Sequence, residues 1–303
     1  MTIAVTGATG FVGQALLDRA AKAGLEVRAL TRREQDPRSG VEWVRGDLDD
    51  RAALKRLCQG AEAVIHVAGV VNAPDADGFE RGNVTGTLNV IEAARRAGVP
   101  RLVHVSSLSA REPDLSIYGA SKARAEKLVR ASGIDWTIVR PPGIYGPRDT
   151  EYFEMFRLAR WGILPVPPRD GRSSLIHVDD LARLLLALLP GNEAVSHRVY
   201  EPDDGRKQGW SHFELARTIG WAVGRRPWVI HLSRASLERI ARADRFVRKH
   251  KAKLTLDRVG YMTHPDWVVS HGARPPSRLW RPLIATREGL KATAEWYRDN
   301  QWL

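Results

Sequence analysis

The β-branched run Thr2-Ile3-Ala4-Val5-Thr6 passes without a break into Gly7-Ala8-Thr9-Gly10-Phe11-Val12-Gly13 and then into a helical pattern. No other feature constrains the fold as much. Glycines at this spacing permit a tight turn, close approach of the backbone to an anion, and packing of the helix onto the strand; the helix start then offers unpaired N–H groups. Three glycines alone are a weak signal. Placed between an N-terminal strand and a helix, they point to the pyrophosphate of a dinucleotide, with Phe11 and Val12 inside the same loop.

The alternation continues downstream. Strands are expected at Thr2–Thr6, Glu26–Leu30, Ala63–His66, Leu102–Ser106 and Thr137–Arg140, with helices at Gln14–Ala23, Arg51–Leu57, Thr87–Ala97 and Lys122–Ala131. Each helical stretch stops near a glycine: Gly24, Gly60, Gly98 and Gly133. Strands and helices alternating at this interval predict an α/β chain of the Rossmann type, a doubly wound parallel sheet covered on both faces. Past Pro141 the pattern loosens. Residues 1–150 are expected to bind NAD(P), with 174–200 returning to that domain, while 151–173 and 201–303 form a smaller, mostly helical substrate lobe.

The 303 residues are enough for a full core, and the single cysteine, Cys58, excludes internal disulfides and cysteine-built zinc sites. No cationic leader precedes the first strand, and the run Leu184–Leu189 is too short to span a bilayer, so a soluble, cytoplasmic chain is expected. No pair of the nine histidines has metal-ligand spacing, and no metal is expected. The net charge of +12 is uneven: residues 1–150 contribute +3 and residues 151–303 contribute +9. Residues 225–258 alone hold 11 basic and 3 acidic side chains. Within them, Arg234–Lys253 reads as a basic amphipathic helix, either a solvated face over its own core or a peripheral contact with an anionic membrane. No helix-turn-helix or RNA-binding aromatic motif accompanies the charge, so no nucleic-acid partner is expected.

Two further patterns carry chemistry. The second strand ends Leu30-Thr31-Arg32-Arg33, with guanidiniums where an acid would grip a ribose 2′-hydroxyl. Planar donor forks suit a 2′-phosphate, which favours NADP(H) while leaving NAD(H) open. Asp47, in Gly46-Asp47-Leu48, is placed to accept from an adenine amino group. Tyr118 and Lys122 stand four apart, on one face of a helix. A phenol is a poor acid or base at its ordinary pKa of about 10, and a neighbouring ammonium is expected to lower it. The pair follows a strand ending Val105-Ser106-Ser107, and that position, more than the spacing, marks it out.

These residues together resemble the extended, atypical short-chain dehydrogenase/reductases of the NAD(P)-dependent epimerase/dehydratase superfamily. The resemblance rests on Thr6–Gly13, Gly46-Asp47-Leu48, His66-Val67-Ala68-Gly69, Ser106-Ser107 and Tyr118-x-x-x-Lys122. It extends to Arg140-Pro141-Pro142-Gly143-Ile144-Tyr145-Gly146-Pro147 and His177–Leu181, and fades after about residue 200. It implies Tyr118 as acid/base, Lys122 on the nicotinamide ribose, and Ser107, with Ser106 as the other candidate, on the substrate oxygen. It further implies Gly7, Gly10 and Gly13 on the pyrophosphate, Asp47 and Leu48 on the adenine, Ala68 on the central ribose, and Pro141, Gly143 and Ile144 against the nicotinamide. Asn83 matches a helix asparagine of the family and reads as structural.

The nearest branch by its tail, Leu256–Tyr261 through Trp267-Val268-Val269 and Glu288–Tyr297, is that of the 3β-hydroxysteroid dehydrogenases. The resemblance thus implies an oxidoreductase interconverting a secondary alcohol and a ketone on a lipophilic small molecule of steroid or isoprenoid type. Seven of ten tryptophans lie from Trp210 onward, either walling an apolar pocket or packing the lobe. A nucleotide-sugar epimerase or dehydratase is the alternative, weakened by Leu108 where such enzymes carry a third serine or threonine. A redox-inert NADP(H)-binding subunit is the non-enzyme alternative. A homodimer is compatible with the sequence.

Overall fold

The computed structural model describes residues 1–249, 252 and 254–303. Six strands come from the first half, with a helix between each consecutive pair except β2 and β3: β1 (Thr2–Thr6), β2 (Glu26–Thr31), β3 (Val41–Arg45), β4 (Ala63–His66), β5 (Arg101–Val105) and β6 (Asp135–Val139). Short strands follow: β7 (Gly143–Tyr145), β8 (Ile163–Val166), β9 (Arg172–Ser173), β10 (Leu175–His177), β11 (Arg198–Tyr200), β12 (Trp210–Ser211), β13 (Trp228–His231) and β14 (Asp266–Trp267). The central sheet has the order β11-β6-β5-β4-β1-β2-β3, with every pair parallel. Strand direction of travel reverses between β1 and β4, the switch point at which open α/β sheets bind ligands.

The helices are α1 (Phe11–Lys22), α2 (Arg51–Cys58), α3 (Ala76–Phe79), α4 (Gly86–Arg96), α5 (Ile117–Arg130), α6 (Phe153–Arg160), α7 (Val178–Ala187), α8 (His212–Ala222), α9 (Arg234–Arg248), α10 (Leu256–Met262) and α11 (Thr286–Asp299). Because strand side chains alternate, Ile3 and Val5 of β1 meet Leu16 and Leu17 of α1 and Leu181 and Leu185 of α7 on one face. Ala4 faces the opposite layer, built from Leu54 and Leu57 of α2, Val90 and Ile91 of α4, and Val129 of α5. A separate core in the second half joins Phe156, Leu164, Leu215, Ile219, Leu290 and Tyr297.

Several expected boundaries move, each for a local reason. The first helix starts at Phe11 rather than Gln14, because Gly10 already serves as its N-cap. The helix expected from Lys122 starts at Ile117, capped by the Ser116 hydroxyl, which accepts from the Gly119 N–H at 2.9 Å. Tyr118 and Lys122 therefore sit in its first two turns. A π-helical turn over Glu80–Thr85 precedes α4. The basic helix ends at Arg248, since Lys249 takes φ of +51°; Lys251 and Lys253 lie outside the described residues.

Candidate active site

The glycine loop forms a cradle at the switch point. Gly7 has φ of +72°, and a Cβ there would lie 2.6 Å from the Ala68 nitrogen of the β4 loop. A Cβ on Gly13 would lie 2.1 Å from the Gly7 carbonyl oxygen, so α1 packs against its own loop with no room for a side chain. No side chain caps Gly10 and no acid stands in the first turn, which leaves the opening N–H groups of α1 available to an anion. This backbone cradle fits a dinucleotide pyrophosphate. Phe11 and Val12 pack with Ile144 over Val178 and Ala182, an apolar floor beside it.

At the tip of β2 the Thr31 hydroxyl donates to the Arg33 carbonyl at 2.7 Å, shaping the turn that carries Arg32 and Arg33 outward. Both arginines are exposed, and neither has an ion-pair partner among the described residues. Arg38, in contrast, is held by Asp18 at 2.8 Å. Asp47 is exposed; its Oδ1 accepts from the N–H groups of Asp49 and Asp50 at 2.9 and 3.0 Å, which fixes the loop and leaves Oδ2 free to face a ligand. Leu48 packs on Gly86. Pro141 is buried, its carbonyl accepting from the Leu108 N–H at 3.0 Å, and Gly143 lies against the Tyr152 phenol.

The structure separates the two serines. Ser106 donates to the buried Glu126 at 2.7 Å, and Glu126 is itself gripped through both oxygens by Arg140 at 2.7 Å. Ser106 is thereby tied into the scaffold. Ser107 points the other way: its Oγ takes the Ser109 hydroxyl at 2.9 Å, and both hydroxyls lie beside the Tyr118 phenol. Asn83 accepts from the Val70 N–H at 2.7 Å and donates to Ser121 at 2.9 Å, stitching the β4 loop to α5.

The expected electrostatics of the Tyr118–Lys122 pair need correction. Burial pushes the Tyr118 phenol up to about 12, and the neighbouring Ser107 and Ser109 hydroxyls offset this only in part. The cation that favours its phenolate form is Arg258. Lys122, 4% exposed, donates to the Val105 carbonyl at 2.8 Å, and burial pulls its ammonium down to about 8. Beneath it, His66 and His104 stack at 5.2 Å between ring centroids. His66 is bonded by Thr6 at 2.6 Å and Thr87 at 3.0 Å, while neither ring nitrogen of His104 has a hydrogen-bond partner among the described residues. Among the described residues no group of three or more His, Cys, Asp or Glu side chains could hold a metal ion.

The remaining wall comes from far along the chain. Asp257 of α10 accepts from the Ile117 N–H at 2.6 Å and the Tyr118 N–H at 3.5 Å, clamping the first turn of α5. The Tyr261 ring lies 6.2 Å from Tyr118 and Phe79 lies 6.1 Å from it on another side. Arg258 hydrogen-bonds with Tyr261 and pairs with Glu151.

The sequence pattern of the NAD dependent epimerase/dehydratase family matches residues 3–201. The chain belongs to this family. A protein named ceramide reductase, from Caulobacter vibrioides, is 38% identical over 311 residues, spanning 99% of this chain and 96% of that one. A 4-hydroxy-2-methyl-3-oxo-4-farnesyl-3,4-dihydroquinoline-1-oxide ketoreductase from Stigmatella aurantiaca is 36% identical over 172 residues, 49% of this chain and 52% of its own length. Among solved structures, MoeE5 in complex with UDP-glucuronic acid and NAD shares the fold, with a TM-score of 0.75 at 24% identity over 99% of both chains. As an epimerase/dehydratase family member with named reductases among its relatives, the chain is an NAD(P)-dependent enzyme. Within this family member, Ser109, Glu126, Asp257, Arg258 and Tyr261 escaped sequence reasoning as site residues. The segment Leu256–Tyr261 was conspicuous, but nothing in its local pattern says which helix it meets. Of the His177–Leu181 motif, His177 caps α7, Asp179 pairs with Arg19, and Asp180 accepts from the N–H groups of Leu283 and Ile284, all structural duties.

Proposed function

We propose that this enzyme is an NADPH-dependent ketoreductase that converts a ketone on a long-chain lipid of the ceramide class to a secondary alcohol. Residues 1–150 with 174–200 make up its cofactor domain, and 151–173 with 201–303 its substrate lobe; the pairing of β11 with β6 supports this division. The observation that carries the chemistry is the placing of the Tyr118 phenol beside the Ser107 and Ser109 hydroxyls, next to the cofactor cradle. A phenol there can hand a proton to a carbonyl oxygen, and the relatives named as reductases support the reductive direction. The substrate class draws on the relative named ceramide reductase, which matches almost end to end, and on the apolar rings of Phe79 and Tyr261 beside the phenol.

Gly7, Gly10, Phe11, Val12 and Gly13 would hold the pyrophosphate, Asp47 and Leu48 the adenine, and Ala68 the central ribose. Arg32 and Arg33 would hold a 2′-phosphate, Lys122 the nicotinamide ribose, and Pro141, Gly143 and Ile144 the nicotinamide face. When bound there, the cofactor would supply hydride to the carbonyl carbon. Ser107 and Tyr118 direct hydroxyls at the carbonyl oxygen, stabilising the charge that develops there. Tyr118 passes its proton to that oxygen and is reprotonated from solvent.

The decisive assay is NADPH oxidation with a detergent-dispersed oxo-ceramide and detection of the hydroxyl product by mass spectrometry. Tyr118→Phe should lower kcat at least a thousandfold while NADPH binding stays within about twofold; loss of both together would make the residue structural. Arg32→Ala should weaken NADPH by about tenfold and leave NADH unchanged, a charge-assisted bond's worth. Equal weakening of both would remove the 2′-phosphate assignment.

A further inference from the structure

The segment that follows the second core carries apolar side chains its own fold does not cover. In the parallel ribbon of β8 and β13, Trp228 stands beside Ile163 and Ile230 beside Pro165. These four face outward while Leu164 and Val166 face the core, and Trp228 is 74% exposed. Trp161, just before β8, is 83% exposed. Through Leu232 and Ser233 the ribbon runs directly into α9, of whose fifteen residues only Leu237 and Ala241 are buried. On its outer side Phe246 is 85% and Val247 75% exposed, with Ile240 also open. Helical spacing sets Phe246 on one face with Arg239 and Arg242.

Both patches are ringed by cations. Arg160, Arg225 and Arg226 are exposed and have no ion pair among the described residues. Among the described residues Arg239 and Arg245 reach the carbonyls of Ala235 and Pro74 and pair with no acid. On α9 itself Arg234 and Arg242 share Glu238 and Arg248 pairs with Asp244, which leaves cations in excess of acids. Tryptophan and phenylalanine amid such an excess of arginine is the composition that settles at a membrane interface, with rings at the headgroup level and guanidiniums on lipid phosphates. A second copy of this chain fits poorly, because two such faces would repel each other.

We propose that residues 228–248, with Trp161 and Ile163 alongside, form a docking surface for an anionic lipid bilayer. The surface adjoins the candidate active site. Leu237 and Ala241 of α9 pack on Val259 of α10, the helix whose Asp257 clamps α5 and whose Tyr261 faces Tyr118. Arg245 also reaches the loop after β4 through Pro74. Docking therefore sets two walls of the cleft against the bilayer, a placement that serves delivery of substrate if the lipid-ketone reading above holds.

The test is flotation of the full chain with phosphatidylcholine vesicles containing about one-third phosphatidylglycerol, against phosphatidylcholine alone, at low and high salt. Binding is expected only with the anionic lipid and should fall with salt. Arg239→Gln and Arg245→Gln should each weaken it about fivefold. Phe246→Ser with Val247→Ser, and Trp161→Ser with Trp228→Ser, should each weaken it at least about tenfold. All should keep wild-type turnover of a short-chain, water-soluble ketone. Flotation indifferent to these variants would overturn the proposal. So would a dimer dissolved by Trp228→Ser, or binding to a single-stranded oligonucleotide in place of vesicles. Vesicle binding is read without turnover: binding with no reduction of any lipid ketone leaves the docking surface standing and removes the substrate reading, whereas reduction in detergent without flotation does the reverse.

Discussion

Helices α1 and α9 are both amphipathic in sequence and end in opposite circumstances. Five of the twelve residues of α1 are buried, and its Leu16 and Leu17 close one face of the central sheet. Two of the fifteen residues of α9 are buried, and Ile240, Phe246 and Val247 stand in solvent. Periodicity states which face of a helix is apolar; burial needs an opposing layer. The sheet supplies that layer to α1, while among the described residues the apolar side of α9 packs on α10 with Leu232 and Leu254.

Breaking this contrast at its tightest point should give the largest effect. Gly13→Ala places a Cβ against backbone at 2.1 Å, so the loop must move. It should cost about 2–4 kcal/mol of stability and abolish NADPH binding, read by thermal melting and by tryptophan fluorescence titration. The matching addition on the outer side of α9, Ala243→Leu, should stay within about 0.5 kcal/mol. Equal costs would mean that α9 is covered after all.

The link between the two regions is the clamp on α5. Asp257→Ala removes the carboxylate that accepts from the Ile117 and Tyr118 N–H groups. Stability should fall by about 1 kcal/mol, the usual worth of a helix cap. The kcat should fall about tenfold with NADPH affinity unchanged, because Tyr118 loses its fixed geometry while the cradle does not. Asp257→Asn should recover part of the rate.

The smallest effect sharpens the picture of the sheet interior. Burial first, and the Lys122 ammonium second, hold His66 down to about 3 and His104 well below the usual imidazole value. With folded values below the unfolded value of about 6.5, the unfolded chain takes up protons first. The stability these two contribute is present above pH 6.5 and is lost as pH falls toward 3. His104→Leu removes a ring with no partner, so its melting temperature should fall less between pH 7.5 and pH 5 than that of the wild type, by a few degrees.

Much of the first 140 residues is legible in sequence, because the signals there are local. The glycines of the cradle, the alternation within β1 and the four-residue spacing of Tyr118 and Lys122 all act within one or two turns. Ser106 and Ser107 are different. Nothing near them says that Glu126 takes one hydroxyl and leaves the other for Tyr118. The phenol's environment was equally hidden: its cation is Arg258, 140 positions away, while its helical neighbour Lys122 turns to the Val105 carbonyl.

By itself, the sequence determined that a parallel α/β sheet would carry a glycine cradle and a Tyr-Lys helix, since backbone freedom and side-chain period are properties of short segments. Tertiary structure alone decided which serine Glu126 holds, that burial raises the phenol, and that α10 clamps α5 while the outer side of α9 stays exposed. Those outcomes depend on desolvation and hydrogen bonds between groups brought together only when the lobe docks on the sheet, and no local pattern encodes the partner.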